Sequence, residues 1–319
     1  MFSGCNKDIF RWFLPYMAKN ASNRLLTYYI GLQQMRYYSI IRYTLSNCQI
    51  MKNHSLDHAD TTGSNARHEI IASAEVKNID NLSNTVKLIK FFIKDEAFSF
   101  KAGQWVDMFI PGISTVGGFS MCSPPHVLRQ QRMLHLAVKY SQHPPAQWIH
   151  TECKVGDQVQ LKAGGDFFYS GSESSHLLLI GGGVGINPLF SMLQHFIDIH
   201  PRQLSDSGDS GSTHDARVSL LYSAQNKDEL IFKDELIKIA ESSNNATVKL
   251  FCTREKVKAT EQLTNSRIHL KDIETVLKQE DLSKTEVYIC GPLPFIQCME
   301  TYCLNSGINK DNIHAEKWW

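Results

Sequence analysis

A run of glycines between an apolar segment and a helical pattern is the feature of this chain that most directly indicates chemistry. Leu177–Ile180 is a continuous apolar run, typical of a strand covered on both faces in a parallel sheet. A helix is predicted from Leu189, with Asn187 as its N-cap and Pro188 in its first position. Because bare amides at a helix N-terminus attract anions, the turn between them is predicted to bind a phosphate. Its predicted binding residues are Gly181, Gly182, Gly183, Val184, Gly185 and Ile186.

Two further predicted strand ends carry residues that suit a nucleotide. Ser223 and Gln225 follow a second strand, and their short polar groups suit a ribose or an adenine. Cys290 ends a third strand and is followed by Gly291 and Pro292, where the glycine permits close approach of a ligand. Taken singly, each feature has another explanation: an ordinary tight turn, or a buried cysteine that only fills space. Together, at the carboxyl edge of one parallel sheet, they favour a nucleotide-binding cleft.

Two kinds of element must position these residues, because the hydrophobic pattern changes along the chain. From His68 to about Phe168, short alternating segments separated by turns predict an antiparallel β-barrel. After Ser170, strands alternate with helices, which predicts an α/β domain with a parallel sheet. The predicted fold is therefore two-domain, an antiparallel β-barrel over residues 67–172 followed by an α/β nucleotide-binding domain over residues 173–319.

The elements predicted from this pattern are as follows. The barrel strands are Ile70–Val76, Val86–Ile93, Trp105–Ile110, Met133–Tyr140 and Gln158–Leu161, with a helix near Ala146–Cys153. The parallel strands are Leu177–Ile180, Val218–Tyr222, Val248–Cys252 and Val287–Cys290. The α/β helices are predicted near Leu189–Ile199, Lys233–Ala240, Ile268–Leu277 and Phe295–Leu304.

The first 66 residues differ in composition from the rest of the chain. Up to Leu56 there is one acidic residue, Asp8, against seven Lys and Arg residues. An Arg-bearing, acid-poor segment is typical of a mitochondrial presequence. A secretory signal, with Ile9–Ala18 as its apolar part, and a disordered tail are the alternatives. Residues 57–66 are predicted to be a linker, so that residues 1–66 form a targeting presequence, tail and linker.

The overall composition excludes several classes of function. The chain has 319 residues, 42% hydrophobic and 20% charged, and a net charge of +1, which gives no strong field for nucleic acid. No apolar run approaches the roughly 20 residues of a transmembrane helix. The eight cysteines form no CxxC pair, so no metal site or iron–sulfur cluster is predicted. Scattered cysteines also fit a reducing compartment better than a disulfide framework.

Several motifs, in their order and spacing, resemble those of the ferredoxin–NADP reductase family. In the second half these are Gly181–Pro188, Leu221–Leu236, Cys290–Pro292 and a chain that ends Glu316-Lys317-Trp318-Trp319. In the first half they are Gly103–Val106, Gly118–Pro124 and Lys154–Phe167, which resemble the family's flavin-binding barrel. The resemblance covers about Arg67 to Trp319 and implies binding of a flavin and a pyridine nucleotide.

The resemblance implies a role for each matching residue. Ser120 matches a serine that hydrogen-bonds near flavin N5, and Phe119 replaces a tyrosine that packs on the isoalloxazine. Cys290 is expected beside the nicotinamide C4 and Glu316 near the flavin edge, which makes Ser120, Cys290 and Glu316 the candidate catalytic residues. Trp319 is expected to stack over the flavin until the nicotinamide displaces it. The residues Gly181–Ile186 are expected to hold the dinucleotide pyrophosphate.

The chain departs from the family at the flavin phosphate and at the nucleotide ribose. Gly117 stands where the family has an arginine that pairs with the flavin phosphate, and His143-Pro144-Pro145-Ala146 replaces a Gly-rich helix start. Gln225 stands where NADP-specific relatives tend to carry a basic residue, although Lys227 and Arg254 keep NADP(H) open. We therefore expect NAD(H) to be preferred over NADP(H), with FAD as the flavin.

The expected function is a flavin-dependent NAD(P)H oxidoreductase that passes hydride from nicotinamide to flavin. Because the sequence has no haem motif and no cysteine cluster, the electron acceptor must be a separate protein or small molecule. The alternative, motivated by Gly117 and the proline pair, is a catalytically weak NAD(H)-binding redox sensor or assembly module.

Overall fold

The computed structural model describes residues 58–171, 175–200, 216–256, 260 and 262–317. These described residues belong to one compact unit. The predicted presequence up to residue 57 and the predicted stacking residue Trp319 lie outside them.

The first sheet contains six antiparallel strands in the order β4-β3-β6-β1-β2-β5. An isolated bridge between Met121, which follows β4, and Leu136 on β5 brings the two edge strands together. Alternate residues of the strands point into one apolar core, which explains the period-2 pattern of the sequence. The predicted antiparallel barrel is confirmed. Its strands are β1 (Arg67–Asn81), β2 (Val86–Ile93), β3 (Trp105–Phe109), β4 (Gly117–Ser120), β5 (Met133–Lys139) and β6 (Gln158–Gly164).

Three helices accompany the barrel. They are α1 (His58–Thr61), α2 (Pro125–Gln131) and α3 (Pro144–Thr151). The first lies within the segment predicted as a linker, so part of that segment is packed. The His58 ring is buried and meets the Trp105 ring edge-on, with centroids 4.6 Å apart, while its Nε2 lies 3.2 Å from Asp107 Oδ1. Tertiary contact, which local composition does not reveal, orders this helix.

The second sheet contains six parallel strands in the order β10-β9-β8-β7-β11-β12. Every residue of its central strand β7 is buried, as the continuous apolar run predicts. The predicted parallel α/β sheet is confirmed. The strands are β7 (His176–Gly182), β8 (Arg217–Ala224), β9 (Ala246–Cys252), β10 (Leu263–Thr264), β11 (Thr285–Gly291) and β12 (Ile313–Lys317). The helices are α4 (Ile186–Ile199), α5 (Lys233–Ser242), α6 (Leu270–Leu277) and α7 (Leu293–Asn305).

No helix within the described ranges has the length and apolar character needed to cross a membrane. Across the same residues, no group of three or more His, Cys, Asp and Glu side chains is placed to hold a metal ion.

Candidate functional site

The strand order of the parallel sheet reverses between β7 and β11. The chain runs from β7 outward through β8, β9 and β10, and then returns to place β11 on the other side of β7. Ligands of open α/β sheets bind where the strand order reverses, outside the carboxyl ends of the strands. At that edge the structure brings together Gly181, Cys290 and Glu316.

These residues lie side by side in register on neighbouring strands. Cys290 is the partner of Gly181 on one side and of Glu316 on the other. Tyr222 extends the row as the partner of Gly181 on β8. Because paired strands are about 4.8 Å apart, these four residues extend over about 14 Å along the edge of the sheet. We refer to Tyr222, Gly181, Cys290 and Glu316 as the edge row.

The glycine turn packs directly against the strand that carries Cys290. Residues Gly183–Gly185 form a 3₁₀ helix between β7 and α4. A Cβ on Gly185 would collide with the Cys290 carbonyl and lie 2.8 Å from the Gly291 nitrogen. Gly183 has φ +59°, and no atom lies within 4 Å of the place that its Cβ would take. The turn is therefore tight on its protein side and open at Gly183, which suits a ligand that contacts the backbone.

The helix after the turn begins differently from the prediction. Gly185 is the N-cap and Ile186 the first helical residue, so Pro188 lies third, not first. Asn187, predicted as the N-cap, donates from Nδ2 to the Ala137 carbonyl on the barrel, at 2.7 Å. Its Oδ1 is buried and has no hydrogen-bond partner among the described residues. Sequence reasoning assigned Asn187 a local role, whereas its contact is to a residue 50 positions away.

Two more side chains of α4 fasten it to the barrel. Ser191 donates from Oγ to the Ser123 carbonyl at 2.8 Å, and Gln194 donates from Nε2 to the Cys122 carbonyl at 3.1 Å. Asn187, Ser191 and Gln194 lie about one helical turn apart and share one face of the helix. This face holds the glycine turn in a fixed position relative to the barrel.

A loop carboxylate links the same two halves. Glu229, between β8 and α5, accepts hydrogen bonds from Thr85 at 2.5 Å, Ser83 at 3.2 Å and Lys139 at 2.7 Å, all on the barrel side. Partial burial opposes ionisation, but the hydrogen bonds from Lys139 and Thr85 outweigh it and lower the pKa of the Glu229 carboxyl. Nothing in the sequence pairs Glu229 with these residues, because they are at least 90 positions apart.

Ser120 ends β4 and is a buried polar residue. Only 4% of it is exposed, and its Oγ has no hydrogen-bond partner in the part of the chain that the structure describes. A buried hydroxyl without a partner is costly, so such a group is expected to meet a ligand or water. This fits the flavin ring atom that the resemblance assigns to Ser120.

The neighbouring strand residues fit a flavin phosphate poorly. A Cβ on Gly117 would lie 2.5 Å from Phe119 Cε2 and 2.9 Å from Pro145 Cβ, so there is no space beside Gly117. The Phe119 ring is half-buried and packs against the barrel core. The site therefore offers a partner for a flavin ring at Ser120, and closely packed apolar atoms at Gly117.

The second nucleotide-contact region lies at the ends of β8 and β9. Ser223 is buried and is the register partner of Gly182. Gln225 is exposed, and Arg254 reaches it twice, from its backbone nitrogen to the Gln225 carbonyl at 2.8 Å and from Nη1 to Oε1 at 3.3 Å. The Lys227 backbone nitrogen donates to Glu255 at 2.9 Å, so an acidic group also lies here.

The remaining predicted residues fall close to the same edge. Gly291 ends β11 and is buried, while Pro292 is exposed and is the N-cap of α7. Glu316 is half-buried in the edge row.

The chain is similar to known proteins over most of its length. The family described as Oxidoreductase NAD-binding domain matches residues 179–301. A Danio rerio protein, Oxidoreductase NAD-binding domain-containing protein 1, is 41% identical over 268 residues, 82% of this chain and 97% of the relative. The Homo sapiens protein of the same name is 39% identical over 298 residues, 88% of this chain and 92% of the relative.

Solved structures show the same fold at lower identity. A ferredoxin NADP⁺ reductase from Neisseria gonorrhoeae, with bound FAD and NADP, has a TM-score of 0.62 and 20% identity, covering 79% of this chain and all 100% of that one. The flavohem-like FAD/NAD-binding domain of nitric oxide dioxygenase from Vibrio cholerae has a TM-score of 0.61 and 21% identity, covering 77% and 98%.

Proposed function

Because this chain belongs to the family of Oxidoreductase NAD-binding domain-containing protein 1, we propose that it is a flavin-linked NAD(P)H oxidoreductase. The observation that carries the proposal is the edge row, in which Gly181, Cys290 and Glu316 are register partners at the switch point of the sheet. The shared fold of FAD-binding and NAD-binding reductases supports it.

Each part of the site has a separate task in this proposal. The amides of the glycine turn bind the dinucleotide pyrophosphate at the start of α4. Cys290 lies beside the nicotinamide C4, Glu316 lies near the flavin edge, and Ser120 donates or accepts a hydrogen bond at the flavin ring. A flavin, when bound, supplies the acceptor for the hydride. The protein contributes alignment, because rings held in contact react far faster than free ones.

The nucleotide is proposed to be NAD(H) in preference to NADP(H). Gln225 presents a neutral amide at the position where NADP-specific relatives tend to carry a basic residue, and Arg254 donates from Nη1 to its Oε1. Glu255, which accepts from the Lys227 backbone, would repel a phosphate at the same place. FAD is the proposed flavin, and the electrons leave to an acceptor that is a separate protein or small molecule.

A visible absorption spectrum of the purified full chain tests the proposal. With FAD added and oxygen removed, NADH should bleach the flavin bands within seconds, and NADPH should do so more slowly at equal concentration. A protein that stays inert with both nucleotides in the presence of FAD would contradict the proposed activity.

One observation favours a second candidate function. The closely packed Gly117 and Pro145 suggest an NAD(H)-binding redox sensor or assembly module without turnover. Calorimetry and visible absorbance together separate the two functions. NADH binding in the calorimeter, with a flavin spectrum that NADH leaves unchanged, would support the binding module.

A further inference from the structure

The N-terminus of α3 has lost most of its capacity to bind an anion. An ordinary helix start presents four backbone N–H groups that lack partners within the helix. Pro144 and Pro145 occupy the first two positions of α3 and have no N–H. The N–H of the N-cap residue His143 donates to Ser141 Oγ at 3.3 Å, which leaves only the N–H of the buried Ala146.

The adjacent strand β4 offers no cation to replace the missing amides. Gly117 has no side chain, and the place of its Cβ lies 2.9 Å from Pro145 Cβ and 2.5 Å from the Phe119 ring. Apolar atoms of the strand and the helix are thus in direct contact. A phosphate placed between them would be desolvated without compensating donors, at considerable cost.

A cation that does contact α3 lies at the opposite end of the helix. Lys87 donates from Nζ to the His150 carbonyl at 3.0 Å, in the last turn. That contact suits the negative end of the helix dipole and lies at the end of α3 remote from Pro144 and Pro145.

The part of the proposed flavin site that would hold the isoalloxazine ring retains polar side chains. Ser120 presents a buried Oγ with no partner among the described residues, and Cys290 and Glu316 lie in the edge row of the other half. Recognition groups are therefore concentrated at one end of the flavin and depleted at the other.

We propose that this protein recognises the isoalloxazine ring and not the flavin phosphate, so that riboflavin, FMN and FAD are exchangeable substrates instead of a tightly held prosthetic group. This inference rests on the proposed function. In the reaction the C4–H bond of the dihydronicotinamide breaks, and its hydride carries the electron pair to flavin N5. Solvent supplies one proton, which together with the hydride completes the reduced flavin, and NAD⁺ and the two-electron-reduced flavin both leave.

Fluorescence titration of the full chain with each of the three flavins tests the inference independently of activity. We expect the three Kd values to agree within about threefold and to change little with salt, because no ionic contact to phosphate is made. Binding of FMN or FAD more than about tenfold tighter than riboflavin would overturn the inference, as would flavin that stays bound in stoichiometric amount through gel filtration. Absence of binding for all three flavins would overturn it as well.

Parallel reduction assays keep the two proposals separate. Equal affinities without NADH-driven reduction would uphold the inference and contradict the oxidoreductase activity. Rapid reduction together with a strong preference for FMN or FAD would uphold the activity and overturn the inference.

A designed variant provides the converse test. Gly117→Arg combined with Pro145→Gly adds a guanidinium, opens space for it and restores one amide. FMN should then bind roughly tenfold tighter than riboflavin, as expected for a charge-assisted contact to phosphate. Gln160→Arg, which adds the same charge at an exposed position of β6, should leave the three affinities equal. If the designed variant does not fold, the wild-type titration still decides.

Discussion

Two buried cysteines of the nucleotide-binding half have different surroundings. Cys290 lies in the edge row, where its backbone carbonyl also contacts the Gly185 turn. Both cysteines belong to apolar clusters, on opposite faces of the sheet in separate groups of residues, and burial raises the pKa of the Cys303 thiol on α7 to about 12. Both side chains are fully buried, so they form a matched pair for separating a role in chemistry from a role in packing.

We expect Cys290→Ala to lower the rate of NADH-driven flavin reduction by roughly ten- to hundredfold. The reason is that loss of the thiol lets the nicotinamide move, and small misplacements of reacting rings cost rates of this order. The Kd for NADH should change by less than about threefold, because the glycine turn still binds the pyrophosphate. Stopped-flow absorbance measures both quantities.

Cys303→Ala is the matched control for this substitution. It removes the same atoms from an equally buried site and should reduce stability similarly, while the reduction rate remains at the wild-type value. Equal rate losses in both variants would show that Cys290 acts only through packing.

At the scale of elements, α4 connects the two halves of the site. Its N-terminus carries the glycine turn, and its barrel-facing side chains Asn187, Ser191 and Gln194 donate to three barrel carbonyls. The residues that carry these carbonyls are buried, so each carbonyl oxygen needs a hydrogen-bond donor. The helix therefore fixes the position of the glycine turn relative to the barrel.

We expect Asn187→Ala to lower the free energy of unfolding by about 1–3 kcal/mol, because the Ala137 carbonyl loses its donor. The reduction rate should also fall, since α4 no longer holds the two rings at a fixed distance. Urea denaturation and stopped-flow absorbance check the two expectations.

Gln297→Ala provides the comparison for this change, since it removes an amide side chain from an exposed position of α7. It should alter stability by less than about 0.5 kcal/mol. If Asn187→Ala behaves in the same way, the interdomain hydrogen bond has no energetic role.

The elements also show what the sequence could predict. The strands with continuous or alternating apolar residues were predictable, because burial in a sheet imposes those periods. β4 has the sequence GGFS, and its order depends on pairing with β3, which local pattern does not encode. Helix α1 likewise depends on the distant residues Trp105 and Asp107.

Some residues of the candidate site were likewise predictable from the sequence, and others were not. Gly181 and Cys290 were predictable, because strand ends in a parallel sheet converge on one edge. The barrel contacts of Asn187 and Glu229 were not predictable, because their partners are at least 50 positions away.

At the scale of the whole molecule, each sheet contains a histidine with a strongly lowered pKa, the buried His176 and the half-buried His135. Burial, assisted by the charge of Arg217, lowers the pKa of His176 to about 4. Burial, assisted by Lys90, lowers the pKa of His135 on the barrel to about 4. The unfolded chain protonates these rings near pH 6.5, so it binds more protons than the folded chain between these values. Stability is therefore lost as the pH falls from about 6.5 to about 4 in both halves.

We expect the free energy of unfolding of His176→Gln to depend less steeply on pH in this range. The difference should be up to about 1.4 kcal/mol per pH unit, the value for one proton. Urea denaturation at several pH values measures the slope. His269→Asn, at an exposed helix cap where asparagine is also suitable, is the control and should keep the wild-type slope. Identical slopes in His176→Gln and the wild type would contradict the assignment.

The packing of His58 bears on maturation of the polypeptide. Its ring occupies the place that a Cβ on Gly118 would take, directly over strand β4, and Arg67 shares the carboxylate of Asp107 with it. A cut in the chain beyond His58 would remove this ring from strand β4 and expose Trp105. If a leader is removed from this chain, we therefore expect the cut to fall before this histidine, since that is the shortest form that retains an intact barrel surface.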